Sequence, residues 1–239
     1  MPNALGFTLK NLAHACIDKL SGAPKRTVQA ASYVAQKARQ GDPKDVLKTL
    51  DEFAAKRRWL MSVGPEKGPL MAELAGRLPE NPRVLELGAY CGYSSILLAQ
   101  SLGEKATIVS IEIDSDSVSS ARANVEHAGL TGQISFLHGP SSKMIATLDG
   151  EFDLVFLDHW KDLYKADLQL IEQCQLIKPG SIVVADNVGK IFGPESYLEY
   201  VRNSGRYECE SRTATIEYTS VPDAVEISVL LAVNSPAKP

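Results

Sequence analysis

Two short segments carry the residue types of a reaction centre, Asp158-His159-Trp160-Lys161 and Asp186-Asn187. Two carboxylates and a carboxamide oxygen are hard donors, suited to Mg²⁺ with the remaining positions left to water or substrate. Lys161, close behind Asp158, adds a nitrogen that can take a proton. Either aspartate alone reads equally well as a cap on a following helix. Together, with the lysine and a glycine turn on the neighbouring strand, they favour a site.

That turn lies in Val84-Leu85-Glu86-Leu87-Gly88-Ala89-Tyr90-Cys91-Gly92-Tyr93-Ser94. Glycines after a strand let the backbone approach a ligand, and the next helix points its N-terminus at it. Gly88-x-x-x-Gly92 departs from the G-x-G-x-x-G dinucleotide fingerprint, which argues against NAD or FAD. Glu112, at the end of the next strand-like run, is placed to accept hydrogen bonds from a ribose diol. With Glu86 it favours a nucleoside carrying a cation, as in S-adenosylmethionine. Other residues admit two readings. His159 can stack on a ligand or be a hydrogen-bonded surface residue; Trp59, Met61 and Trp160 can wall a pocket or simply pack. Cys91 has no neighbour that would lower its thiol pKa, so it reads as passive.

The elements that must position these residues alternate in period. Up to about residue 80 the apolar spacing is helical: Leu9 to Leu20, then Val28, Ala31, Val34, Ala35 and Ala38. Asp42 reads as an N-cap with Pro43 at the first helical position, ahead of Val46, Leu47, Leu50 and Phe53. A fourth helix follows with Leu70, Met71, Leu74, Ala75 and Leu78. From Pro82, short strands (Arg83–Leu87, Thr107–Ile111, Ile134–His138, Phe152–Leu157, Ser181–Ala185) alternate with helices. Such alternation predicts an α/β fold, a doubly wound, Rossmann-like and mostly parallel sheet with helices on both faces. Two last strands, Glu208–Thr219 and Val225–Val233, joined through Val221-Pro222-Asp223, predict an antiparallel hairpin at its edge. The expected organisation is a single domain over 1–239, with a helical part to residue 80 and a core over 81–233.

Composition narrows the function classes. The 239 residues are 44% hydrophobic and 23% charged, enough to bury a core. Lys+Arg 25 against Asp+Glu 29 leaves net −4 and no basic stripe, so nucleic acid is not the expected partner. The longest apolar stretch, Ile227–Val233, is too short to span a bilayer, and the N-terminus has no secretory pattern. Four cysteines without a CxxC pair suit reduced thiols in a cytoplasmic protein.

The chain resembles the catechol O-methyltransferase family, which is Mg²⁺-dependent and uses S-adenosylmethionine. The resemblance runs from about Lys25 to Leu231 and rests on VLELGAYCGYS (Val84–Ser94), LVFLDHWKD (Leu154–Asp162), ADNV (Ala185–Val188), WLMSVG (Trp59–Gly64) and YVR (Tyr200–Arg202), in the family's order. It implies that Glu112 binds the ribose hydroxyls, with Glu86, Tyr90 and Ser94 around the methionine end. Val63, Gly88, Ile113, Ser141 and Asp158 would belong to the same cofactor wall, Ser142 and His159 would lie near the adenine, and Trp160 would cover it. Asp158, Asp186 and Asn187 would hold Mg²⁺, Lys161 would be the general base, and Glu217 would hydrogen-bond the second hydroxyl of a small catechol. Trp59 and Met61 would form a substrate wall that Lys161 and Asn187 complete. The chain departs from the family at Gly189-Lys190-Ile191-Phe192-Gly193-Pro194, one residue longer than the usual proline-containing gate, with Lys190 bringing a charge to the rim. A relative acting on caffeoyl-type thioesters and a non-catalytic S-adenosylmethionine-binding protein are the alternatives; a monomer or weak homodimer, with no membrane partner, is expected.

Overall fold

The computed structural model describes residues 24–190 and 193–232. The expected helix over Leu9 to Leu20, and Ile191, Phe192 and Val233, lie outside the described residues.

In chain order the helices are α1 (Arg26–Lys37), α2 (Pro43–Lys56), α3 (Gly68–Ala75), α4 (Tyr93–Leu102), α5 (Ser115–His127), α6 (Ser141–Met144), α7 (Tyr164–Gln173) and α8 (Glu195–Asn203). The strands are β1 (Arg83–Leu87), β2 (Thr107–Glu112), β3 (Ile134–His138), β4 (Phe152–Leu157), β5 (Ile177–Ala185), β6 (Tyr207–Thr215) and β7 (Pro222–Leu230). They form a seven-stranded sheet in the order β3-β2-β1-β4-β5-β7-β6. The first five are parallel, and β7 runs antiparallel to both β5 and β6. The fold is thus the doubly wound α/β sheet with an edge hairpin that the alternation predicts.

Burial on both faces explains the central strands. Every residue of β4 is buried, as expected for a strand covered on each side. Val84 and Phe156 face one apolar layer with α1, α2 and α4; Leu85 and Val155 face the other with α7 and α8. At α2 the Asp42 carboxylate accepts the Asp45 backbone N–H at 3.1 Å, satisfying a helix-end donor as the N-cap reading requires.

Three local expectations are corrected. In α1 the buried face is Thr27, Ala30 and Val34, while Ala35 is exposed, because α1 lies on α5 and α2 along that stripe. Strand β5 begins at Ile177: Lys178-Pro179-Gly180 looks like a turn but is carried in the strand at a register shift against β4. Finally, β6 stops at Thr215, and the connection lies at Ile216–Val221, with Pro222 and Asp223 in β7. Tyr218 takes a left-handed φ of 60°, and Thr219 closes the turn by donating its N–H and its hydroxyl to the Ile216 carbonyl. Pro222 is tolerated at the first strand position, where no ladder N–H is needed.

Candidate active site

Strand order reverses between β1 and β4, and the carboxyl ends of those strands open a cleft of about 610 Å³. Gly88 at the end of β1 makes the cleft possible. Its φ is +104°, and a Cβ there would collide with the Asp158 carbonyl oxygen at the end of β4. Only glycine lets the two strand ends approach this closely.

At one end of the cleft lies Glu112, which closes β2. Its carboxylate accepts the backbone N–H of Tyr90 and of Asp114, each at 2.9 Å, so it is held rigidly at the wall. Ile113, Ser141 and Ser142 line the same end. His159 gives its Nε2 to Asp167 at 2.8 Å and stacks on Tyr164 at 5.1 Å; its Nδ1 has no partner among the described residues. Trp160 and Met61 stand at the mouth, 73% and 60% exposed. So much apolar surface in the open marks a ligand-facing rim.

The other end is charged: Asp158, Lys161 and Asn187 line it, while Asp186, Glu217 and Trp59 stand off the wall. Asp158 closes β4, and Asp186 and Asn187 follow β5, the next strand of the sheet. Burial, and then the charge of Asp186, pushes the Asp158 carboxyl well above the usual range. Lys161 points its Nζ at the Asn187 Oδ1, 3.4 Å away. Asn187 sits at a left-handed φ of 52°, a conformation Asn tolerates better than most residues. Its Nδ2 donates to Asp223 at 2.8 Å, and since a carboxylate only accepts, the amide oxygen must face Lys161.

Two residues at this end escaped the sequence reading. Lys67, 3% exposed, donates to both oxygens of Asp186 at 2.6 and 2.7 Å and to Glu217 at 2.6 Å. Burial works against its ammonium, but the charges of Asp186 and Glu217 outweigh it and hold its pKa above the ordinary lysine value. Asp223 accepts from Asn187 and from the Gly189 N–H and stands 3.7 Å from the Lys67 Nζ.

Glu217 lies in the β6–β7 turn rather than in a strand, and burial raises its pKa to about 7. Gly64 makes room for it, since a Cβ there would stand 2.8 Å from the Glu217 Cγ. Trp59 donates its indole N–H to the Glu217 carbonyl at 3.1 Å, so it braces this turn. Tyr90 lines the cleft beside Gly88. Val63, Ser94 and Glu86 are buried and stand off its wall; Glu86 is held by the hydroxyls of Ser95 and Ser110, with its Oε1 unpartnered among the described residues. Lys190 is exposed.

Residues 37–199 match the model of the O-methyltransferase family. The chain is 40% identical to catechol O-methyltransferase B of Danio rerio over 214 residues, covering 87% of this chain and 79% of that protein. It is 37% identical to the catechol O-methyltransferase of Bos taurus over 213 residues, covering 87% and 77%. The chain belongs to the O-methyltransferase family. Among solved O-methyltransferases, TomG from Streptomyces achromogenes, in complex with SAM, shares the fold with a TM-score of 0.65 at 22% identity, covering 91% of this chain and 95% of that one. A chain of this family is an S-adenosylmethionine-dependent O-methyltransferase, and its cleft has the Glu112 carboxylate at one end and Asp158, Lys161 and Asn187 at the other. Among the described residues no helix is long and apolar enough to cross a membrane.

The charged end also fits a divalent cation. Asp186, Glu217 and Asp223 are buried carboxylates and Asp158 is half-buried on the cleft wall, with two ammonium groups, Lys67 and Lys161, among them. The raised Asp158 and Glu217 carboxyls mark more carboxylate than the two ammonium groups offset, which a divalent cation would relieve. No group of three or more His, Cys, Asp or Glu suited to a metal occurs among the described residues, so a metal here would rest on two carboxylates and the Asn187 oxygen.

Proposed function

We propose that the chain moves the methyl group of S-adenosylmethionine to one hydroxyl of a catechol, with Asp158, Asp186 and Asn187 holding Mg²⁺ and Lys161 as general base. The observation that carries this is the meeting of Lys161 with the Asn187 oxygen beside Asp158 and the buried Asp186, in the cleft that ends at Glu112. When bound, Mg²⁺ would act as a Lewis acid and make a catechol hydroxyl more acidic.

The chain's own groups account for the rest. Glu112, fixed by two backbone donors, accepts from the ribose diol and sets how deep the cofactor sits. Lys161 Nζ takes the proton of the attacking hydroxyl, a role that contributes ~10²–10⁴-fold in enzymes of many kinds. Glu217 accepts from the other hydroxyl, and Trp59 and Gly64 hold it at the depth this needs. Asp223 keeps the Asn187 oxygen, not its nitrogen, turned inward. Met61 and Trp160 close over the reactants and exclude water while sulfonium and phenolate charges cancel. Holding donor and acceptor in line supplies much of the acceleration.

The test is turnover of methyl-labelled S-adenosylmethionine with a simple catechol, with and without Mg²⁺. Methylated catechol formed only with the metal is the expected result. Full turnover in EDTA refutes the metal assignment, and cofactor binding without transfer to catechols or caffeoyl-type diols refutes the activity.

A further inference from the structure

Lys67 ends a short turn, Pro65–Lys67, and is buried with the acidic side chains of Asp186, Glu217 and Asp223 at its tip. Its Nζ takes both oxygens of Asp186, and the Asp186 Oδ1 also accepts the Asn187 backbone N–H at 2.8 Å. The fork of this aspartate therefore already faces an ammonium. A second cation at the same oxygens would stand within a few ångströms of the first in a poorly solvated place, where like charges repel strongly. Glu217 and Asp223 remain within reach of the same nitrogen, so an ammonium released from Asp186 is not stranded.

We propose that Lys67 is a resident counter-cation of the metal-free centre, tying Asp186 to Glu217, and that a divalent ion must displace it from Asp186 in order to bind. This rests on the metal reading given above and adds a positioning residue to it. Lys67 keeps the carboxylates assembled and charge-balanced when no metal is there, and it weakens metal binding below what the ligands alone would give. It also links the metal ligand Asp186 to the substrate carboxylate Glu217 through one side chain.

Calorimetric titration of Mg²⁺ into the wild-type protein, Lys67→Met, Lys67→Arg and Asp186→Asn decides the matter, with thermal melting in EDTA alongside. Lys67→Met is expected to bind Mg²⁺ at least about tenfold more tightly, ~1.4 kcal/mol, and to melt at a lower temperature in EDTA. Lys67→Arg retains the charge and should gain no affinity. Lys67→Gln, which keeps a donor toward Glu217, gives the same comparison should the methionine variant fail to fold. Equal or weaker affinity in neutral variants that remain folded overturns the proposal. A gain with arginine as well would trace the effect to shape and also overturn it. Absence of Mg²⁺ uptake by every protein, or uptake untouched by Asp186→Asn, overturns the metal site itself and this proposal with it.

Discussion

Glu112 and Lys161 show two ways in which a single side chain is given a task. Glu112 is fixed by two backbone N–H groups, so its remaining lone pairs are aimed before any ligand arrives. Replacing it by alanine should weaken S-adenosylmethionine binding at least about tenfold, since hydrogen bonds to charged groups are worth ~1.5–3 kcal/mol each. Calorimetry checks this, with circular dichroism showing the fold retained; unchanged affinity removes Glu112 from the cofactor site. Lys161 reaches the Asn187 oxygen at 3.4 Å, a long contact from which its nitrogen can turn to a substrate hydroxyl. Lys161→Ala should lower kcat by ~10²–10⁴ with little change in catechol KM. Lys161→Arg should fail as well, because a guanidinium stays protonated. Near-normal turnover by the arginine variant would make Lys161 an electrostatic clamp and not a base.

Between β1 and β4 the decisive contact is backbone against backbone. Gly88 and the Asp158 carbonyl approach so closely that no side chain fits, and the position also requires a positive φ. Gly88→Ala should therefore push the β4 end, and Asp158 with it, away from β1. Strain of this kind costs on the order of 1–3 kcal/mol. Chemical denaturation should show that loss, and cofactor and metal affinity should fall together because both depend on the same strand end. A variant that lost stability but bound both ligands normally would show that the contact is structural alone. The β6–β7 turn plays a comparable part on the far side of the site. Tyr218 donates to Asp51 of α2 at 2.6 Å and Trp59 donates to Glu217, so a helix of the N-terminal half holds a turn of the C-terminal hairpin.

Over the whole molecule, the cleft spans the reversal of strand order, so a ligand in it touches loops from both halves of the sheet. Ligand and fold are thereby linked: whatever binds the folded state alone stabilises it. At a hundred times its Kd, S-adenosylhomocysteine, the product form of the cofactor, should add ~2.7 kcal/mol. For a chain of this size that corresponds to a rise in Tm of about 5–10 °C. Scanning calorimetry across a concentration series checks it, and Glu112→Ala should lose most of the rise at the same concentration. No rise in the wild-type protein would mean that the cleft does not take the nucleoside.

Element types were legible along most of the chain because they follow from local period. Phe152–Leu157 is a continuous apolar run, and a strand buried on both faces requires one. Asp42 and Pro43 announce the start of α2 with their own side chains. The positions of Gly88, Glu112, Asp158, Lys161 and Asp186 at strand ends follow from the same reading, since a parallel sheet gathers its carboxyl ends at one edge. Pro179 and Gly180 misled as to where β5 begins, and Glu217 was read into a strand, because turn chemistry and register are settled by the partner strand. The deeper gap is Lys67. Its partners Asp186 and Glu217 lie 119 and 150 residues away, and nothing in Pro65-Glu66-Lys67-Gly68-Pro69 distinguishes it from a solvated surface lysine. Periodicity reports which face of an element is buried. Which charges meet there depends on how β5 and the β6–β7 turn close over it, and only the tertiary structure decides that.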